Sequence, residues 1–131
     1  MQGHWPRIKE EVPETTGGWK IAERPLDGPG LLLALRGDFD MSCVRELRQA
    51  LEAVVAEGTG GLILDLSEVT FLDSLSIAAM VAARRRLGEE RRMAVVAQHP
   101  YVLLIFEAGG LDSIVPLFST IEDAEAHLRG G

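Results

Sequence analysis

Hydrophobic positions along this chain switch between two periods. Residues 19–24 (WKIAER) alternate apolar and polar, the period of a strand with one covered face. Turn formers fill residues 25–30 (PLDGPG), and residues 31–36 (LLLALR) read as a second strand, so a hairpin is the simplest connection. After Gly37-Asp38-Phe39-Asp40 the period becomes helical. Val44, Leu47, Leu51, Val54 and Val55 fall on one stripe, while Glu46, Arg48, Gln49 and Glu52 face away. Asp40 or Ser42 can cap this helix, and Glu57-Gly58-Thr59-Gly60-Gly61 ends it.

Residues 62–66 (LILDL) are apolar on both faces, as a central strand reads when both sides are covered. Val69, Phe71 and Leu72 follow, then Asp73-Ser74. Ile77, Met80, Val81 and Leu87 define a second amphipathic helix ending near Gly88, with Arg84, Arg85 and Arg86 in its last turn, where cations suit the helix dipole. Residues 93–97 (MAVVA) are a fourth strand candidate. Gln98 and His99 lead into a loop, and Pro100 suits the first turn of a short helix over 101–108, stopped by Gly109 and Gly110. Residues 114–118 are a last strand, and Pro116 predicts an edge position for it. Ser119-x-x-Glu122 is a capping-box pattern that opens a final helix through Leu128.

The order β-β-α-β-α-β-α-β-α implies right-handed crossovers and parallel pairing after residue 40, with the opening hairpin making the sheet mixed. The expected fold is α/β: a single domain over residues 18–129, a mixed four- to five-stranded sheet with helices packed on it. Residues 1–17 are polar and carry Pro6, Pro13 and Gly17, which predicts a flexible leader. The whole chain, 131 residues, fits one domain.

Charge narrows the partners. A net charge of −7 argues against nucleic acid, whose phosphates need a basic surplus, and favours a protein with a basic face. Arg84 to Arg86 with Arg91 and Arg92 read as a solvated helix end in so acidic a chain. Cys43 is the one cysteine, so no disulfide forms within the chain; it reads as a small apolar side chain near a helix start. No run reaches the roughly 18–20 apolar residues of a membrane span, and the first residues lack a signal-peptide core, so a cytoplasmic location is expected. Catalytic motifs are missing too. His4, His99 and His127 read as solvated, no serine sits in G-x-S-x-G, and Lys9 and Lys20 lie outside any P-loop. With no H-E-x-x-H and no cysteine pair, neither a metal nor another cofactor is expected, and the chain is not expected to be an enzyme.

The informative stretch is Asp65-Leu66-Ser67-Glu68-Val69-Thr70-Phe71-Leu72-Asp73-Ser74, where a strand ends and a helix opens. A serine there is either an N-cap or a phosphate acceptor, because a helix N-terminus tolerates an added dianion. Asp65, Leu66, Ser67, Val69, Phe71, Asp73 and Ser74 together resemble the signature of the STAS domain, the fold of bacterial anti-sigma factor antagonists. Gly37-Asp38-Phe39-Asp40 resembles that family's motif before its first helix, Gly110-Leu111-Asp112 its late G-L-D, and residues 118–128 its closing strand and helix, so the similarity spans residues 19–128.

The resemblance implies an antagonist that binds an anti-sigma factor with serine kinase activity and is switched off when that partner phosphorylates Ser74. It places Asp40, Asp73, Leu75 and Ser76 at the partner surface. The chain departs from the family where a small or hydroxyl residue and then Gly usually follow the acceptor: here Leu75 and Ser76 stand, and Ser76 is a second candidate acceptor. The alternative reading is a STAS module that binds or scaffolds without phosphorylation, for example a subunit of a lipid-transport complex. A homodimer is also left open.

Overall fold

The structure is a computed structural model and describes residues 18–130. The expected leader, residues 1–17, lies outside the described residues. Strands β1 (Trp19–Pro25) and β2 (Gly30–Phe39) form the hairpin, followed by α1 (Val44–Glu57), β3 (Gly61–Leu72), α2 (Ser74–Leu87), β4 (Met93–Val96), α3 (Pro100–Ala108), a 3-10 turn at Leu111–Ser113, β5 (Leu117–Phe118) and α4 (Ile121–Leu128). The sheet has five strands in the order β1-β2-β3-β4-β5; β1 runs antiparallel to β2, and the other neighbours are parallel.

Period-2 alternation divides the core between the sheet faces. Leu33, Leu35, Leu62, Leu64, Leu66, Met93 and Val95 meet the inner stripes of α1, α2 and α3 on one face. Leu32, Ala34, Ile63, Ala94 and Val96 point the other way, onto α4 through Ala124, Ile121 and Leu128. In α1 the stripe is narrower than expected: Leu47, Leu51 and Val54 are buried, while Val44 and Val55 are half-buried. In α2 the buried side is Ser76, Ala79, Met80, Ala83 and Leu87, and Ile77 and Val81 are half-buried. The small residues Ala79 and Ala83 lie toward α1, beside Leu51 and Val55.

Several expected boundaries move. The central strand reaches residue 72 instead of 66, because β2 pairs with it as far as Phe39↔Leu72, across two register shifts. The last strand keeps its edge position but shrinks to two residues, Leu117 and Phe118. Residues 111–113 are taken up by the 3-10 turn, and Pro116 has no N–H for the ladder. The N-cap of α4 sits one residue later than the expected capping box: Thr120 Oγ1 accepts from the Asp123 amide at 3.1 Å. For α1, neither Asp40 nor Ser42 is the cap. Cys43 holds that position without a side-chain cap bond, and Asp40 instead closes a tight turn before it. Gly37 is required by its backbone: its φ is +95°, and a Cβ would stand 2.0 Å from the Gly18 carbonyl oxygen.

Candidate partner-binding site

Parallel pairing of β2 with β3 brings their C-terminal ends together, so the Asp40 turn and the Asp73 junction lie side by side. The Phe39 carbonyl ties them. It accepts from the Asp73 amide at 3.1 Å and from Ser76 Oγ at 3.1 Å. Asp73 is the N-cap of α2, and its Oδ1 accepts from the Ser76 amide at 2.9 Å. Ser74 is therefore not the cap, one of the two roles open to it from sequence. It is the first residue of the helix, exposed, and its hydroxyl makes no hydrogen bond among the described residues. Across from it, Asp40 Oδ1 accepts from the Ser42 hydroxyl at 2.6 Å and the Ser42 amide at 2.9 Å. These bonds, the hydroxyl's first, hold the Asp40 carboxyl below the usual carboxylate range.

The STAS-domain sequence profile matches residues 20–124, which is most of the chain. This chain belongs to the STAS family. It is 33% identical over 100 residues to the anti-sigma-F factor antagonist RsfB of Mycobacterium tuberculosis, covering 76% of this chain and 82% of that protein. The crystal structure of an anti-sigma factor antagonist from Mycobacterium paratuberculosis superposes with a TM-score of 0.80 at 33% identity, over 85% of this chain and 94% of that one. The Bacillus cell fate determinant SpoIIAA in its phosphorylated form shares the fold, with a TM-score of 0.64 at 17% identity over 82% of this chain and 97% of that one.

Within this STAS domain, Ser76 corrects an expectation. The resemblance puts it at the partner surface and makes it a second candidate acceptor, yet its relative exposure is 0%, and its hydroxyl donates to the Phe39 carbonyl. Where the family's usual glycine permits close approach of two backbones, the serine hydroxyl bridges them. Leu75 does reach the surface, with 49% relative exposure. Asp73 is half-buried, and its carboxylate is bound to its own helix.

Beyond Leu75, sequence reasoning missed the exposed apolar residues near Ser74. Phe71 at the end of β3 and Tyr101 in the first turn of α3 stack with ring centroids 6.0 Å apart and planes 13° from parallel. His99 caps α3, its Nδ1 accepting from the Tyr101 amide at 3.1 Å, so it has a structural task beyond being solvated. Met41 in the β2–α1 turn is exposed as well. The signal was present in the period. Val102 and Phe106 define the inner stripe of α3, which leaves Tyr101 and Leu104 off it, and Phe71 breaks the alternation between the buried Val69 and Leu72.

Within the arginine cluster Arg85 and Arg86 are exposed as expected, while Arg84, Arg91 and Arg92 differ from a solvated end. Arg91 donates to the carbonyls of Gly60 and Val55 at 2.8 Å each, Arg84 to those of Gly88 and Arg91, and Arg92 to that of His127 at 3.0 Å. These guanidiniums close helix ends and loops. Cys43 is buried, as a small core side chain would be, and burial pushes its thiol up to about 11. Among the described residues no group of His, Cys, Asp and Glu is arranged to hold a metal ion, and no helix is long and apolar enough to cross a membrane.

Proposed function

We propose that this protein is a cytoplasmic antagonist of an anti-sigma factor, acting by binding and not by catalysis, and that phosphorylation of Ser74 by that partner's serine kinase activity releases it. One observation carries the reading: Ser74 stands exposed at the first position of a fourteen-residue helix with its hydroxyl uncommitted, while the neighbouring Asp73 does the capping. Kinship with a protein named as an anti-sigma-F factor antagonist, and a shared fold with one seen in a phosphorylated form, support it. In the transfer, the γ-phosphoryl group of ATP passes to Ser74 Oγ, and ADP and the hydroxyl proton leave. The phosphoserine brings about −1.5 to −2 charges near neutral pH. The helix N-terminus accommodates them, but an interface formed around a neutral hydroxyl does not. A mispaired charge at a buried contact costs roughly 2–5 kcal/mol, which corresponds to about 30- to 5,000-fold in affinity.

The test titrates wild type, Ser74→Ala and Ser74→Asp against a candidate anti-sigma factor, with intact mass recorded after incubation with that factor and ATP. The expected result is one added phosphate on wild type and none on Ser74→Ala, constitutive binding by Ser74→Ala, and weakened binding by Ser74→Asp at an unchanged melting temperature. Equal affinity of all three, with no phosphate gained, removes the switch and leaves the scaffold reading.

A further inference from the structure

Of the six large hydrophobic side chains exposed among the described residues, five belong to one end of the sheet or the helix that begins there: Met41 (73%), Phe71 (38%), Leu75 (49%), Tyr101 (38%) and Leu104 (61%). We propose that the docking face does not stop at Ser74 but runs across the Phe71–Tyr101 ring pair to Leu104 on α3, and that it receives a face of the anti-sigma factor with an apolar centre and a cationic rim. The proposal rests on the functional reading above and adds to it the residues that choose the partner.

Three observations carry it. The first is continuity. β2, β3 and β4 are parallel neighbours, so the turn holding Met41, the junction holding Ser74 and Leu75, and the start of α3 holding Tyr101 lie at the same edge. Tyr101 and Leu104, three apart on a helix, share one side of it. The second is pre-organisation. Tyr101 follows Pro100, its amide is held by His99 Nδ1, its ring stacks on Phe71 at 6.0 Å and meets the His99 ring edge-on at 6.4 Å. A tyrosine fixed this way loses little freedom on binding, the property that makes aromatic anchors dominate interfaces. The third is charge. Asp38, Asp40 and Asp73 border this end; of the cations near it, Arg36 of β2 is paired with Glu68 at 3.0 Å, Lys20 lies opposite Arg36 on β1, and Arg45 stands in the first turn of α1, so the carboxylates nearest Ser74 outnumber the cations there. A second copy brought face to face would set these carboxylates against each other, whereas a basic rim on another protein complements them.

Calorimetric titration of the full chain against purified candidate anti-sigma factors with serine kinase activity tests the proposal. The variants are Tyr101→Ser, Leu104→Ser, Ser74→Asp and, as a control on an exposed residue before β5, Ile114→Ser. Thermal melts confirm folding, and amide shift mapping of the wild type at residues 101–104 gives a readout free of substitution. Tyr101→Ser and Leu104→Ser are expected to weaken binding by tenfold or more, Ile114→Ser to leave it within twofold, and the residues 101–104 to shift on titration. Wild-type affinity in Tyr101→Ser and Leu104→Ser, with Ser74→Asp still defective, overturns the extended face while the antagonist reading stands. Failure of wild type to bind every candidate overturns both. A wild-type dimer in sedimentation velocity that Tyr101→Ser dissolves assigns the face to a second copy and likewise overturns the proposal.

Discussion

Replacing Ser76 with glycine restores the residue usual in the family and tests what the serine does here. The hydroxyl is fully buried and donates to the Phe39 carbonyl at 3.1 Å. Its loss removes one buried hydrogen bond, a net effect of about 1 kcal/mol. The carbonyl is not orphaned, since the Asp73 amide still donates to it at 3.1 Å, so no larger desolvation penalty is added. Glycine in a helix is less favourable than serine by about 0.5 kcal/mol. Ser76→Gly should therefore destabilise by about 1.5 kcal/mol. Ser76→Ala loses the same bond but regains roughly 0.5 kcal/mol of helix propensity, leaving a deficit of about 0.5 kcal/mol. Urea unfolding followed by circular dichroism resolves these values if the slope against urea stays constant across the set. In a thermal scan the glycine variant should melt about 6 °C below wild type. A glycine variant as stable as wild type, or an alanine variant that loses more than about 2 kcal/mol, refutes the assignment of Ser76 as a modest bridge between β2 and α2.

Two further substitutions probe the frame around the site. Gly37→Ala should cost more than about 2 kcal/mol in urea unfolding, because it combines a positive φ with a Cβ placed 2.0 Å from the Gly18 carbonyl oxygen; a neutral result would mean that β1 can shift away. Burial raises the Cys43 thiol from 9.0 to about 11, so the folded state keeps its proton after the unfolded chain has lost it. Stability from this group is complete below the unfolded pKa and falls as pH rises through the interval up to the folded one, by on the order of 3 kcal/mol. The difference between wild type and Cys43→Ala in urea midpoints should accordingly shift across that interval, and a difference independent of pH would show that the thiol ionises equally well in both states.

The two hydrophobic periods made the strand and helix order legible, and the mixed sheet followed from the hairpin and the crossovers. Caps were harder for a physical reason. Asp40 and Ser42, Asp73 and Ser74, Ser119 and Thr120 each set two good capping side chains close together, and local chemistry does not choose between them. Backbone geometry does: Asp73 has an extended backbone, ψ 177°, and its carboxylate reaches the Ser76 amide, which leaves Ser74 inside the helix. The surface position expected for Ser76 rests on the family resemblance alone, and the structure buries it. Its partner is a carbonyl 37 residues earlier in the chain, a contact that no local pattern carries. The Phe71–Tyr101 pair is 30 positions apart and forms only because β3 and the start of α3 reach the same edge of the fold.

That assignment of the cap bears directly on whether the fold can accept a phosphate. The first amides of a helix lack partners within it. In α2 the Asp73 carboxylate takes the Ser76 amide, and the Ile77 amide bonds the Asp73 carbonyl at 3.1 Å, so the Ser74 and Leu75 amides remain for a new acceptor. A phosphate on Ser74 Oγ is attached at that position and meets the positive end of the helix dipole without displacing the cap. Had Ser74 been the cap, its modification would have exchanged a structural hydrogen bond for a charge, and binding and stability would have changed together. With Asp73 holding the helix and Ser76 holding Asp73's strand neighbour, the exposed hydroxyl can change state while the frame stays fixed. Under the proposed switch, a phosphate on this serine would reach a partner through charge at the surface, without the domain having to refold.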